Sequence, residues 1–323
     1  MPYQRGERPA GWNIRVYAPG DVTVDERTRG VKDLSHAGLR VEPGSTIDLA
    51  DIDPGHTSGF KTKADATEKL RADIERMAVL QDIFYAQHTH ALLIILQGMD
   101  TAGKDGVIKH VMSGVNPQGT SVVSFKTPSE EELMQDYLRR CVTRLPERGH
   151  IGIFNRSYYE EVGVVRVHPE ILAKEHLPAK NGDLWRERFA DIASFERYLR
   201  HNGTIVLKFF LHLSKDEQRK RLLARIDTPE KNWKISEADM RERDYWDDYQ
   251  HVYSEMLTHT STDCAPWYVI PSDHKWYTRL AIANAIVAHL EALHLRYPEV
   301  AGDARAALAQ YRKRLETSEP APL

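Results

Sequence analysis

Seven consecutive residues, Ala91 to Gln97 (ALLIILQ), run directly into Gly98-Met99-Asp100-Thr101-Ala102-Gly103-Lys104-Asp105-Gly106. A short, unbroken run rich in Leu and Ile suits a strand covered on both faces. The glycines that follow dictate a tight strand-to-helix turn. Further strands are expected at Ser121–Phe125, His150–Phe154, Thr204–Leu213 and Trp267–Ile270. Between them lie helix-period segments: Lys63 to about Gln87, Lys104–Val115, Ser129–Leu145, Asp183–His201 and Trp276–Arg296. Ser129 and Glu132 stand at capping-box spacing. Strands alternating with helices imply an α/β fold, a parallel sheet sandwiched between helix layers. Such sheets place ligand sites beyond the carboxyl ends of their strands.

The chain has 323 residues, 41% apolar and 28% charged, which suits a soluble globular protein and excludes a fibre, a coiled coil or a disordered tail. No apolar run reaches the roughly 20 residues of a membrane span. MPYQRGERPAGW at the start holds no apolar stretch behind its charges, so no secretory signal is expected. Two cysteines, Cys141 and Cys264, make no disulfide framework and suit a reducing compartment, the cytoplasm. Residues 1–60 are dense in Gly and Pro and read as an irregular arm. Residues 61–300 form the main body, and residues 301–323 an Ala- and Pro-containing tail.

The glycine loop fits G-x-x-x-x-G-K without the customary Ser or Thr after the lysine. Gly98 and Gly103 let the chain wrap so that backbone N–H groups point inward at an anion. The helix start adds partial positive charge, Lys104 adds a full one, and Gly106 permits close packing in the first turn. The missing hydroxyl would normally help to hold Mg²⁺. Asp100 is the replacement within the loop, ahead of Asp105, whose place in the first turn also simply favours the helix dipole.

His150–Phe154 runs into Asn155-Arg156-Ser157-Tyr158-Tyr159-Glu160-Glu161. Asn155 holds the position where such enzymes carry a metal-supporting acid, leaving an amide carbonyl to coordinate directly or through water. Arg156 is placed to reach phosphate oxygens. Lys215 to Lys234 carries seven basic residues against four acidic ones. On its residues alone this stretch is equally a solvated face and a lid closing cations over phosphates. The fifteen histidines include His88, His90, His289 and His294, none with the spacing and acidic partners of a zinc site. Trp246, Tyr249, Trp267 and Tyr268 read as packing residues.

Several separate motifs in order, LQGMDTAGKDG, GVNPQG, FNRSYYE, FFLHLSKDEQRKRL, PEKNWK and STDCAPWYVIP, resemble those of the family-2 polyphosphate kinases over roughly Asp65 to Pro298. The arm before about Ile52 lies outside the match. The resemblance implies a three-layer α/β/α sandwich of the P-loop kinase type, related to thymidylate kinase, with a helical lid at about 215–243. It implies phosphoryl transfer between inorganic polyphosphate and AMP, ADP or other nucleotides, with ATP among the products, and Mg²⁺, or Mn²⁺ in its place, as cofactor. It also implies a homo-oligomer. Carried over by position, Asp100 binds the metal, Lys104 the bridging and transferred phosphates, and Arg156 the transferred group. Arg219, Lys231 and Lys234 grip the phosphate chain, with Arg225 beside them. Many members carry Asp where Asn155 stands, so metal support here is expected to be weaker or water-mediated. Asn155 and Glu160 fall at the nucleotide-acceptor end. The N-R-S-x-Y-E form matches the subgroup that accepts both AMP and ADP.

One phosphoanhydride is broken and another made in such a reaction, so its equilibrium lies near unity and either direction is open. The alternatives are an ATP-dependent nucleotide kinase and a non-catalytic polyphosphate-binding protein. The formal charge of −3 argues against a binder of nucleic acid or membrane. Local surpluses around Lys215–Lys234 and Arg139–Arg148 still leave room for a confined cationic channel.

Overall fold

The computed structural model describes residues 38–178 and 182–317. Five strands, β1 (Ala91–Gln97), β2 (Thr120–Ser124), β3 (Ile151–Asn155), β4 (Thr204–His212) and β5 (Trp267–Pro271), form one sheet in the order β2-β3-β1-β4-β5. All neighbouring pairs are parallel. Each strand lies within about one residue of its expected span; in β1, β3, β4 and β5 the apolar runs coincide with buried spans, whereas β2, at the sheet edge, has no buried residue. The glycine loop therefore leaves the centre of the sheet, and the Asn155-Arg156 segment leaves the strand beside it.

Alternation along β1 divides the core. Leu92, Ile94 and Leu96 join one cluster with Met77, Leu80 and Phe84 of α1 (Lys63–Gln87), Val107 and Val111 of α2 (Lys104–Val111) and Leu280 and Ile286 of α7 (Lys275–Glu291). Leu93 and Ile95 join the other, with Phe189, Ile192 and Leu199 of α3 (Leu184–His201) and Val252, Met256 and Leu257 of α6 (Trp246–Thr260). The result is the expected three-layer α/β/α sandwich. Over its carboxyl edge stand α4 (Lys215–Ile226), a 3₁₀ segment at Pro229–Lys234 and α5 (Glu237–Asp244).

Four segments differ from the sequence reading, among them the helix expected to Arg296, which ends at Glu291. Ser129 and Glu132 do form a capping box, but the helix expected to Leu145 shrinks to single turns at Glu130–Leu133 and Arg139–Val142. The Asp136 carboxylate accepts the Leu138 N–H at 2.7 Å, a local bond that competes with helix continuation. The helix expected over 104–115 ends at Val111 and closes with a 3₁₀ turn. Within the tail, Gly302–Thr317 is a helix, α8, with no buried residue. Residues 318–323 lie outside the described residues.

Residues 1–37 of the expected arm also lie outside them. Its remainder, 38–60, packs on the body. Leu39 and Val41 flank an antiparallel bridge between Arg40 and Tyr268, with Val41 N–H to Trp267 O at 2.8 Å and Val269 N–H to Leu39 O at 2.8 Å. The free edge of β5 is thereby paired, which removes an open template for association. Leu49, 1% exposed, sits against α6, whose Ser254 hydroxyl accepts its N–H. Leu49→Ala should lower unfolding free energy by about 2–4 kcal/mol in urea titrations. A change near zero would mean that the arm does not pack as described.

Candidate active site

The loop after β1 can be built only with glycine at its first position. Gly98 has φ +141°, and a Cβ there would stand 2.6 Å from the backbone oxygen of Leu211 in β4. Gly103, at φ +114°, precedes the first turn of α2. Gly106 lines the same cleft, but its added Cβ would meet Arg279 Nη2 at an ordinary 3.7 Å. Close packing is thus not what keeps residue 106 small.

Lys104 folds back over the loop, its ammonium donating to Gly98 O at 2.6 Å and Met99 O at 3.2 Å. Burial and the neighbouring Arg156 charge depress its pKa to about 8 against the opposing pull of Asp100, Glu160 and Asp105.

Arg156 has φ +65°, and its N–H is tied to Leu96 O at the end of β1. Its guanidinium spans two carboxylates, Nη2 to Asp100 Oδ1 at 2.6 Å and Nη1 to Glu160 Oε2 at 3.0 Å. Glu160 first and Asp100 next stabilise its charge. Burial works to raise the Asp100 carboxyl. The charges of Arg156, Lys104 and Arg225 outweigh that and hold it below the usual carboxylate range. Asn155 donates its amide to Asp105 Oδ1 at 2.8 Å, so its immediate partner is the acid that stands at the position of the customary Ser or Thr.

Along α4, residues 217, 220, 221, 224 and 225 face the loop, as helix phase requires. Arg221 is buried and fully engaged. It donates to Thr101 O and Ala102 O at 3.0 Å, to Ser272 O at 2.5 Å and Asp273 O at 3.2 Å, and to Glu217 at 2.8 Å. It staples the glycine loop to the end of β5. Lys234 reaches Asp105 at 3.8 Å, and Arg225 donates to Lys234 O at 3.3 Å.

The half-open cleft has a volume of about 690 Å³ and is lined by nine basic and three acidic side chains. It gathers Asp100, Lys104, Gly103, Gly106, Asn155, Arg156, Arg225, Lys231 and Lys234. Gly98 shapes the loop from beneath. Glu160 stands behind Arg156 rather than on the cleft wall. Arg219 does not join the cleft: more than half exposed, it leans towards Asp216 at 3.8 Å. The sequence reading missed Lys220, Arg221, Lys275 and Arg279. Lys275 and Arg279, four apart at the start of α7, follow the carboxyl end of β5, and that position was the available signal. Trp246, Tyr249, Trp267 and Tyr268 are buried and pack as expected.

For a divalent cation the donor set suits Mg²⁺. Asp100, held ionised and about one-third exposed, offers hard oxygen to the cleft beside Asp105 and Asn155. Mg²⁺ commonly takes one or two carboxylates and completes its shell from phosphates and water. Among the described residues no group of three or more His, Cys, Asp or Glu forms a ready-made cage.

Fold and cleft together define a phosphotransferase of the P-loop kinase type. The family model for polyphosphate kinase 2 (PPK2) matches residues 60–298, and the chain belongs to that family. It is 50% identical over 282 residues to an ADP-polyphosphate phosphotransferase of Rhodopseudomonas palustris, covering 86% of this chain and 97% of the relative. It is 45% identical over 261 residues to an AMP/ADP-polyphosphate phosphotransferase of Meiothermus ruber, covering 80% and 94%. The crystal structure of polyphosphate kinase 2 from Arthrobacter aurescens superposes with a TM-score of 0.79 at 40% identity, covering 87% of this chain and 97% of that one.

The depressed Lys104 pKa has a measurable consequence. The ammonium form dominates below pH 8 and is lost above it, so affinity for tripolyphosphate, measured by calorimetry, should fall as pH rises from 7.5 to 9.5. The ligand's own negative charge grows or holds over that range and would not itself weaken binding. Affinity that stays constant or rises would contradict this assignment.

Proposed function

We propose that this protein reversibly transfers a terminal phosphoryl group between inorganic polyphosphate and AMP or ADP, with Mg²⁺ bound through Asp100. The observation that carries the reading is the surplus of cations in the cleft. Among the described residues, Lys220, Lys275 and Arg279 line it with no protein hydrogen-bond partner. Lys220 and Lys275 are exposed and Arg279 is half-buried, so their charged ends are open to a ligand, and a row of open cations fits a chain of phosphate oxygens. The site residues, the 61–300 catalytic unit with its 215–243 lid, a cytoplasmic setting and assembly into a homo-oligomer belong to the same proposal. Among the described residues no helix is long and apolar enough to cross a membrane.

The chemistry asks little of general bases. The nucleophile is a phosphate oxygen, already anionic at neutral pH, so rate comes from alignment and charge stabilisation. Lys104 would exchange its loop carbonyls for the bridging and transferred phosphate oxygens. Arg156, aimed by Asp100 and Glu160, would meet the charge that builds on the transferred group. Lys220, Arg225, Lys231, Lys234, Lys275 and Arg279 would hold the remaining chain. Bound Mg²⁺ would neutralise phosphate oxygens and lower the repulsion between donor and acceptor. Arg221, whose donors are all used on carbonyls and Glu217, would hold the loop in shape. Arg219 stands outside this set.

Acceptor range is the finer part. One relative's name specifies ADP, the other's AMP and ADP. Glu160 is present here with its carboxylate on Arg156, where it can also meet a monophosphate acceptor or its metal. Purified protein given ADP, long-chain polyphosphate and Mg²⁺ without ATP should make ATP in a luciferase assay. No ATP above a Lys104→Ala control would end the polyphosphate reading, and phosphorylation of a nucleotide only when ATP is supplied would favour an ordinary nucleotide kinase. With AMP in place of ADP, ADP should form, and its absence would restrict the acceptor to diphosphates.

Lys275 and Arg279 give an independent check. Lys275→Gln and Arg279→Gln should each raise the KM for polyphosphate about tenfold, the size expected for one charge-assisted hydrogen bond. The KM for ADP should stay within about twofold. Equal effects on both substrates would place these residues elsewhere in the reaction.

A further inference from the structure

Beneath the catalytic end of the sheet lies a buried charge that the reaction does not touch. Lys208, in the middle of β4, and Glu196, on α3, are both fully buried and meet at 2.7 Å. All three ammonium protons are used: on Glu196 Oε2, on the Tyr159 hydroxyl and on Thr260 O, each at 2.7 Å. The other carboxylate oxygen, Glu196 Oε1, accepts both the Tyr158 and the Tyr159 hydroxyls at 2.9 Å. The ammonium also lies 5.1 Å from the ring centroids of Tyr159 and Trp267.

Stability alone gives this pair little reason to exist. A buried ion pair recovers its desolvation cost poorly, and apolar side chains of similar volume often serve as well. Its placement is more informative. Of the segments it joins, one carries side chains of the active centre: the 3₁₀ turn Tyr158–Glu161. Tyr158 follows Arg156 by two residues, and Tyr159 precedes Glu160. Arg156 itself sits at φ +65°, a conformation that persists in a non-glycine residue only where its surroundings enforce it. On one side it is tied to Leu96 O. On the other, Ser157 accepts the Tyr159 N–H at 3.2 Å, and the two tyrosines are locked by Glu196 and Lys208.

We propose that the Lys208–Glu196 pair is a positioning device for Arg156: it holds the Tyr158 and Tyr159 hydroxyls, these fix the turn that carries Glu160, and Glu160 aims the guanidinium. The proposal rests on Arg156 acting at the transferred group, as read above. Lys208, Glu196, Tyr158 and Tyr159 are positioning residues, since none lines the cleft.

The test is a double-mutant cycle on kcat. The Tyr158→Phe/Tyr159→Phe variant removes two hydroxyls and leaves Lys208 paired with Glu196 and Thr260 O. At a temperature where both proteins are fully folded, its kcat should fall about 10- to 100-fold, the effect of a small misplacement of a catalytic group. Its KM for polyphosphate should stay within about twofold. In a Glu160→Gln background the same change should cost less than about threefold more, because the link it disturbs is already broken. A kcat equal to wild type, or an equal loss in both backgrounds, overturns the proposal. If the tyrosine variant does not fold, Glu196→Gln replaces it in the same cycle with the same two criteria. An inactive wild type would remove the function reading itself, whereas an active wild type with indifferent variants removes only the anchor.

Discussion

The active centre turns on one guanidinium held between two carboxylates. Arg156 bridges Asp100, on the loop after β1, and Glu160, on the turn after β3. That bridge is possible because β1 and β3 are adjacent and in register, with Leu96 opposite Asn155. Lys104 lines the same cleft, and the bridge offsets the repulsion between the two cations. Burial first, and the Arg156 charge next, lower the Lys104 pKa to about 8. A cleft loaded with positive charge before its ligand arrives is destabilised by itself. Phosphate relieves the repulsion, so the fold stores part of the drive for binding as strain between like charges.

Much of this architecture was legible from residue order. Mainly apolar runs mark the strands, with β2 (TSVVS) the most polar, and the strand-end rule singled out Asp100, Lys104 and Arg156, which the structure brings together in one cleft. What escaped depends on non-local contact or on helix phase. Nothing local to Leu39 and Val41 says that they pair with the edge of β5. A capping box at Ser129 starts a helix, yet the turn at Asp136 stops it within a few residues, a contest between two local bonds of similar strength. Arg219 and Arg221 are alike in sequence and differ by two positions. On a helix that is about 200° of rotation, enough to put one outside the cleft and the other at its wall. Lys275 and Arg279 obeyed the strand-end rule and were overlooked because no glycine or acid accompanied them.

Total charge is a poor guide in such a protein, since each cation's neighbours decide its role. Lys208 is enclosed by a carboxylate, a hydroxyl and a carbonyl, and Arg221 by four carbonyls and a carboxylate. Their donors are saturated, so neither has capacity left for a ligand, and both act by fixing backbone. Lys220, Lys275 and Arg279 have no such partners among the described residues and face the cleft. Donor saturation separates scaffold from site where residue type cannot.

The same criterion explains why the chain can be nearly neutral, at −3, and still present a strongly basic cleft. Paired cations contribute charge to the total and little field to the solvent, because the opposite charge lies within about 3 Å and the two fields cancel beyond that distance. Among the described residues, Lys220, Lys275 and Arg279 lack that cancellation at close range, unlike Arg156, Arg221 and Lys234 beside them. Opposite charges more than a Debye length away, about 8–10 Å, are largely screened by salt and offset them little. With the whole chain at −3 and nine basic against three acidic side chains in the cleft, the rest of the chain is net negative, so a polyanion is repelled elsewhere and meets an excess of positive charge in the cleft. A thin, flexible backbone with a negative charge every few ångströms can bring several of those charges into a cleft of about 690 Å³ at once.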